Sequence, residues 1–245
     1  MKNAITIILT VWALLLCGCS NDNAQNQIKF ATNADYPPFE YQEQGELKGF
    51  DIELAQLIAK KLGKKAVFTN VSLATILPLL DNNTVDAAIA TMSITEKRQE
   101  NYDFSLPYYA SSAAALYIKE HPITSKEQLV NKKIACQLGS SMEQWVKQQE
   151  LSDATIIAFD MSNQAVEAVK AGQADVAVLD EIQAKTFSEK NPELSYTSIV
   201  QLDAGYGIVF KKGSPLREQA NRVLETLQAE GELDRLKQKW FGNGV

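Results

Sequence analysis

Val85-Asp86-Ala87-Ala88-Ile89-Ala90-Thr91 and Ala174-Asp175-Val176-Ala177-Val178-Leu179-Asp180 are near copies of one another, 89 residues apart. Each is a short apolar run that follows a polar turn, and each ends in a polar residue, Thr91 in one and Asp180 in the other. Two such runs suggest two similar lobes, each with a buried strand running into a site. Ligands of open α/β sheets gather beyond the carboxyl ends of the strands, so Thr91 and Asp180 would face one another across a cleft. Short Ala/Val-rich strands also recur by chance, so the echo needs support from the rest of the chain.

That support comes from alternation. Strand-like runs fall at residues 28–32, 66–69, 85–90, 133–137, 155–159 and 175–179. Helix-like segments separate them, which predicts an α/β architecture. Residues 51–62 read as an amphipathic helix: Asp51 can cap it, Leu54, Leu57, Ile58 and Leu62 line one face, and Gly63 stops it. Further helices are predicted over 72–80 with Ser72 as cap, from Ser140 onward, over 163–171, over 215–228, and in an amphipathic tail ending at Trp240.

A chain of 245 residues with 45% hydrophobic and 22% charged residues is long enough to bury a core unaided. Its net charge of -6 argues against a nucleic-acid partner, which needs a basic face to displace counterions. At the N-terminus, Lys2 precedes an apolar run from Ile5 to Leu16, too short to span a bilayer and of the length of a signal-peptide core. It runs into Leu16-Cys17-Gly18-Cys19-Ser20, where small Gly18 directly before Cys19 resembles a bacterial lipobox. Residues 1–18 are therefore expected to be a lipoprotein signal peptide, Cys19 the lipidated residue, and residues 19–27 a tether; a plain secretory peptide is the alternative. Cys136, in an apolar strand, is expected to be a buried thiol, and the three cysteines form neither a disulfide framework nor a metal-ligand cluster.

Several polar groups fall where a ligand could use them. Thr91-Met92-Ser93-Ile94-Thr95-Glu96-Lys97-Arg98 follows the end of a buried strand; Thr95 can cap a helix at Glu96, and Ser93 with the forked donors of Arg98 suits a carboxylate. An exposed capping box with a surface arginine fits the same pattern. Leu138-Gly139-Ser140-Ser141 opens a helix, whose free N–H groups attract anions or are simply capped. Asp180 can receive an ammonium group or cap the helix from Glu181. In Asn33-Ala34-Asp35-Tyr36-Pro37-Pro38-Phe39-Glu40 the prolines stiffen a loop and aim Tyr36 or Phe39 at a nearby surface. Nucleophile elbows, metal-ligand pairs and phosphate-cradling loops are missing from the sequence, and the one histidine, His121, precedes Pro122 in a surface turn. No cofactor and no metal is expected.

Gly49-Phe50-Asp51-Ile52-Glu53-Leu54-Ala55 followed by Ile58-Ala59, together with Tyr36-Pro37-Pro38-Phe39-Glu40, Ser93-Ile94-Thr95-Glu96-Lys97-Arg98, Asp103-Phe104-Ser105 with Pro107-Tyr108-Tyr109, and Lys239-Trp240-Phe241-Gly242, resemble the bacterial extracellular solute-binding proteins of the polar amino acid type, family 3. The resemblance spans about residues 28–242. It implies a two-lobed periplasmic-binding-protein fold of type II: two α/β lobes joined by two crossover strands, near residues 113–117 and 205–209. Residues 28–112 and 206–245 would form lobe one and residues 113–205 lobe two. It also implies a binding protein rather than an enzyme, delivering a free L-amino acid to an inner-membrane ABC permease. The setting would be the periplasm or cell surface, the membrane contact a lipid anchor only, and the protein a monomer.

By position, the resemblance assigns Arg98 to the ligand α-carboxylate, aided by the Ser93 N–H, Ser140 and Ser141. Asp180 would take the α-ammonium, and the Met92 backbone or the Thr91 hydroxyl would add a contact. Tyr36 and Leu73 would sandwich the ligand side chain, while Asn33 and Gln137 read its tip. Leu73 stands where many members carry an aromatic ring, Thr91 where glycine is common, and Asn33 where an acidic residue often meets a basic side chain. A guanidinium stacked on Tyr36, its N–H groups accepted by Asn33 and Gln137, favours arginine or another basic amino acid. Glutamine or another polar amino acid is the alternative, and a cyclohexadienyl dehydratase-like enzyme a more distant one.

Overall fold

The computed structural model describes residues 26–242. The expected signal peptide, Cys19 and the tether as far as residue 25 lie outside the described residues. Gln27, placed in the tether by the sequence, already belongs to the first strand.

Two five-stranded sheets carry the fold. The first is built from β1 (Gln27–Thr32), β5 (Lys65–Asn70), β6 (Ala87–Ala88), β7 (Tyr102–Phe104) and β13 (Val209–Lys211), in the order β5-β1-β6-β13-β7. The second contains β8 (Tyr109–Ile118), β9 (Lys133–Gln137), β10 (Thr155–Phe159), β11 (Val176–Asp180) and β12 (Leu194–Tyr206), in the order β10-β9-β11-β8-β12. A small antiparallel sheet of β2 (Asp35–Tyr36), β3 (Glu40–Glu43) and β4 (Glu46–Lys48) follows β1. The helices are α1 (Phe50–Lys61), α2 (Leu73–Asp81), α3 (Glu96–Gln99), α4 (Ser141–Gln148), α5 (Ser162–Lys170), α6 (Glu181–Lys190), α7 (Pro215–Ala229) and α8 (Glu232–Phe241), with a 3-10 turn at Lys126–Leu129.

The echo between the two runs is structural. β6 lies parallel to β1 with Phe30 opposite Ala87, and β11 lies parallel to β9 with Ile134 opposite Val176. At the foot of each pair one aspartate closes the ladder in the same way. Asp86 accepts the Lys29 N–H at 2.8 Å and Asp175 accepts the Lys133 N–H at 2.7 Å, and each aspartate donates its own N–H back to that lysine's carbonyl. Only Ala87–Ala88 of the run predicted over 85–90 forms ladder pairs; Val85, Ile89 and Ala90 are buried outside the ladder and Asp86 is exposed.

The chain passes from the first sheet to the second between Phe104 and Tyr109, and back between Tyr206 and Val209. The first passage comes earlier than the sequence placed it, because Ala113–Leu116 already pair with β11. At the passage Tyr109 pairs with Tyr206, whose rings stack at 6.2 Å between centroids. Gly205, at φ 64, brings the chain so close that a Cβ would sit 2.3 Å from the Tyr109 carbonyl oxygen. Phe39 packs edge-on against both tyrosines, at 4.9 and 5.6 Å, so it belongs to the core and not to the cleft surface.

Helix α1 corrects one expectation. It begins at Phe50, one residue earlier than predicted, and its N-cap is Gly49, without a side-chain cap. Gly49 is required there: at φ 129 a Cβ would lie 2.0 Å from the Phe39 carbonyl oxygen. The close approach lets the Phe50 and Asp51 N–H groups donate to the Pro38 and Phe39 carbonyls, which satisfies the first helical donors and pins the loop in front of the site. Asp51 is thereby turned inward, fully buried, instead of capping the helix. The apolar face does what the periodicity predicts: Leu54 and Ile58 are buried beside Phe30, Leu224 and Leu227, with Leu57 and Leu62 at the rim. Burial of each such side chain contributes about 1.5–3 kcal/mol. Cys136 is fully buried and its thiol is pushed up to about 12 by desolvation.

Candidate functional site

The carboxyl ends of β1, β6, β9 and β11 point at one cavity of about 490 Å3, part of it open to solvent. Its lining includes Asn33, Tyr36, Leu73, Thr91, Met92, Ser93, Arg98, Gln137, Ser140, Ser141 and Asp180, so every position the sequence singled out for ligand contact lies on this one wall or the other. Thr91 and Asp180, the equivalent ends of the two echoing runs, both line it.

Arg98 is held by the local design the sequence suggested. Thr95 accepts the Arg98 N–H at 3.3 Å and caps α3, and the side chain turns inward and is 8% exposed, not on the surface. Its Nη1 donates to the Ser93 carbonyl at 2.9 Å and its Nη2 to the Gly139 carbonyl, across the cavity, at 3.0 Å. Among the described residues no carboxylate pairs with it, and burial alone pulls the guanidinium down to about 10. Beside it, Ser93 forms an antiparallel bridge with Tyr206 whose two hydrogen bonds run from Ile94 N–H to Gly205 and from Gly207 N–H to Met92. That pattern leaves the Ser93 N–H outside the bridge, whereas the Met92 carbonyl is spent in it.

Helix starts supply the opposite wall. Ser140 caps α4 by accepting the Glu143 N–H at 3.0 Å, so ordinary capping is what its hydroxyl does, while the Ser141 hydroxyl meets that of Ser93 at 2.8 Å. Asp180 also caps: its Oδ1 accepts the Ile182 N–H at 3.1 Å and, in the cavity, the Tyr36 hydroxyl at 2.7 Å. On the same side as Arg98, Leu73 opens α2, half-buried, with Ser72 before it bonded to the Thr75 hydroxyl and not to a backbone N–H. Gln137 donates to Asn33 Oδ1 at 2.9 Å, and Asn33 in turn donates to the Val71 carbonyl at 3.0 Å.

The sequence missed four polar lining groups: Asp35, Glu40, Gln183 and Tyr206. Asp35 matters most. Its Oδ2 accepts from Gln137 Nε2 at 3.2 Å and from the Ser162 N–H at 3.3 Å, at the start of α5, while its buried Oδ1 has no donor. Desolvation raises it from 3.8 to about 6, against those hydrogen bonds. It supplies an acidic group two residues beyond Asn33, where the sequence saw none. Glu40, 1% exposed, is raised well above the usual carboxyl range, first by desolvation and then by the neighbouring Asp51. Gln183 reaches the Ser162 hydroxyl at 2.5 Å and so braces the α5 start that Asp35 approaches. Among the described residues no cluster of His, Cys, Asp and Glu is arranged to hold a metal ion, and no helix is long and apolar enough to cross a membrane.

Comparison with known proteins extends this geometry to a lineage. The chain is 33% identical over 239 residues to the arginine-binding extracellular protein ArtP of Bacillus subtilis (strain 168), covering 94% of this chain and 93% of that protein. It is 34% identical over 202 residues to the ABC transporter glutamine-binding protein GlnH of the same strain, covering 80% and 74%. Among solved structures, an ancestral arginine-binding protein bound to arginine superposes with a TM-score of 0.84 at 36% identity, covering 89% of this chain and 99% of that one. The type II periplasmic-binding-protein architecture is thus shared over nearly the whole described chain. Residues 28–243 match one family throughout, and the chain belongs to the bacterial extracellular solute-binding proteins, family 3.

Proposed function

We propose that this protein binds a basic L-amino acid, arginine foremost, between its two sheets and presents it to an inner-membrane ABC permease. One observation carries the ligand class: the charge balance of the cavity. Arg98 suits an α-carboxylate and Asp180 an α-ammonium, so these two complement the zwitterion common to all amino acids. Burial, and then the neighbouring Asp51, raises Glu40 well above the usual carboxyl range, and Asp51 itself lies behind the wall, where it accepts from Thr91 and Tyr108. Asp35 is then the carboxylate on the cavity lining that the Arg98–Asp180 pair leaves over near neutral pH, with a buried oxygen that lacks a donor. A guest with one extra positive charge and N–H donors at its far end balances it. Tyr36 offers a ring face and Leu73 an aliphatic one for the stem between. The names of ArtP and of the arginine-bound ancestral structure support the same reading.

A zwitterion that touches Arg98 on one sheet and Asp180 on the other rewards the closed arrangement of the lobes, since the two clamps act together only when the cleft is shut. Closure removes water and strengthens both pairs. In this reading the lobes hinge where the chain crosses, at 104–109 and 206–209, and the Ser93 N–H and the Ser141 hydroxyl complete the carboxylate site. The protein acts as a monomer outside the cytoplasmic membrane, tethered through a lipid on Cys19.

Titration calorimetry with the twenty L-amino acids tests the proposal. Micromolar arginine binding, about -8 kcal/mol, with lysine next and glutamine at least tenfold weaker, is the expected result; glutamine binding tighter than arginine overturns the basic preference, and no binding at all overturns the function. The glutamine reading rests on Asn33 and on the amide of Gln137, and GlnH supports it. A dehydratase would deplete prephenate or arogenate on incubation; the cavity's ammonium-directed Asp180 favours binding without turnover, and unchanged substrate is expected. Labelling with a fatty acid that is lost in Cys19→Ser tests the anchor.

A further inference from the structure

Thr91 is a β-branched residue at φ 45, in the left-handed region that such side chains avoid. It lines the cavity. Strain of this kind persists only where the surroundings over-determine it. Here two buried carboxyl groups do so: Asp51 Oδ2 accepts the Thr91 N–H at 2.9 Å, and Glu40 Oε1 accepts the Thr91 hydroxyl at 3.1 Å. Asp51 Oδ2 also accepts the Tyr108 hydroxyl at 2.8 Å. The remaining oxygens, Glu40 Oε2 and Asp51 Oδ1, are buried and meet no N–H or O–H donor. The two carboxyl groups lie against each other, and two carboxylate oxygens can share a hydrogen bond only if one keeps a proton. The titratable groups that act on the pair are Asp35 and Tyr108; among the described residues no lysine or arginine pairs with either carboxyl. One proton therefore belongs to the pair.

We propose that Glu40 and Asp51, sharing a single proton, are positioning residues that hold Thr91 in its left-handed conformation and so shape the cavity wall at the end of β6. The inference does not depend on which amino acid the cavity takes. Glu40 carries the proton and donates it to Asp51 Oδ1; Asp51, as the carboxylate, accepts from Thr91, Tyr108 and Glu40. The direction of both shifts agrees: desolvation raises Asp51 to about 7, and Glu40 stands above its usual range with Asp51 as its principal charged neighbour. Loss of the shared proton at alkaline pH sets two negative charges against each other in a dry site, and Thr91 loses its hold.

Two measurements test this, with whichever amino acid titration identifies as the tightest ligand. In a double-mutant cycle, Asp51→Ala lowers affinity at least tenfold with Thr91 present and less than threefold in the Thr91→Gly background, because glycine takes φ 45 without being held. Equal losses in both backgrounds overturn the proposal. If Asp51→Ala does not fold, Glu40→Gln decides: glutamine keeps one donor for Asp51 and one acceptor for Thr91, but no titratable proton. The loss of affinity that the wild-type protein shows as the pH is raised disappears in this variant, and a protonated-carboxyl stretch in the infrared spectrum at neutral pH disappears with it. An unchanged pH profile and an unchanged infrared spectrum in Glu40→Gln overturn the shared proton.

Discussion

Asp35→Asn should make the empty protein more stable and a worse receptor for arginine. Asp35 is raised from 3.8 to about 6 in the folded chain, a shift of about 2 pH units, or about 3 kcal/mol. The sign follows from proton counting. Between pH 4 and 6 the unfolded chain has lost this proton and the folded chain still holds it, so stability falls as pH rises through that window and the whole penalty is present above about pH 6. Part of the side chain faces water, which reduces the recoverable amount to about 1–3 kcal/mol. Asparagine can keep Oδ1 where Asp35 Oδ2 accepts from Gln137 and Ser162, so the change removes the charge and little else. At about 2–4 °C per kcal/mol for a chain of this size, the melting temperature of Asp35→Asn should exceed wild type by roughly 2–12 °C at pH 7.5 and match it near pH 4. Loss of a charge-assisted pair to a guanidinium costs about 2–3 kcal/mol, or about 30–150-fold in arginine affinity, while glutamine affinity stays within about threefold. Wild-type affinity for arginine should itself weaken below about pH 6. Scanning fluorimetry from pH 4 to 8 and titration calorimetry with both ligands read these effects. A melting curve that tracks wild type at every pH, or an unaltered arginine-to-glutamine ratio, refutes the assignment of Asp35.

Arg98→Met removes a buried cation that has only carbonyl partners in the protein; apo stability should hold or rise, and affinity for every amino acid should fall by at least about 100-fold, read by calorimetry. Asp180→Asn keeps the cap on the Ile182 N–H and therefore the fold, but should weaken binding by about 10–100-fold, with an unchanged apo melting temperature as the control. Gly49→Ala meets the Phe39 carbonyl at 2.0 Å and a φ of 129, so it should destabilise by more than about 3 kcal/mol in a urea titration.

The two-lobed plan was legible because Asp86 and Asp175 each lock a strand foot, and that chemistry requires the same residue at the same place in both runs. Arg98 was legible because Thr95 three residues earlier is a helix cap, which fixes where the arginine leaves the helix. Asp35 was not, because its partners are far away in sequence: the Ser162 N–H it faces is 127 residues distant, and beside Tyr36-Pro37-Pro38 an aspartate reads as a turn former. Asp51 misled for a related reason. An aspartate before an amphipathic run has the chemistry of a cap, and only the approach of Gly49 to Phe39 shows that the helix starts earlier and turns the carboxyl inward. The first passage was placed too late because the apolar Ala113–Tyr117 run reads as a connecting strand, whereas its pairing with β11 and β12, distant in sequence, makes it an inner strand of the second sheet.

In the proposed reading, recognition and closure use the same atoms. Among the described residues, direct bonds between the two walls include Tyr36 to Asp180, Arg98 to Gly139, Ser93 to Ser141, and Gln137 with Ser162 to Asn33 and Asp35. At about 1 kcal/mol net apiece they make the shut form accessible without committing the protein to it. A guest can tilt that balance only by its difference in affinity for the two forms, so what counts is contact with both walls at once. Agmatine, which is arginine without its α-carboxylate, separates the two requirements. It can still reach Asp180 and Asp35 but offers nothing to Arg98, so its affinity should fall at least about 100-fold below arginine. Saturating agmatine should also leave the scattering radius of the protein at its ligand-free value, whereas saturating arginine should reduce it. An equal contraction with both ligands would show that Arg98 takes no part in closing the cleft.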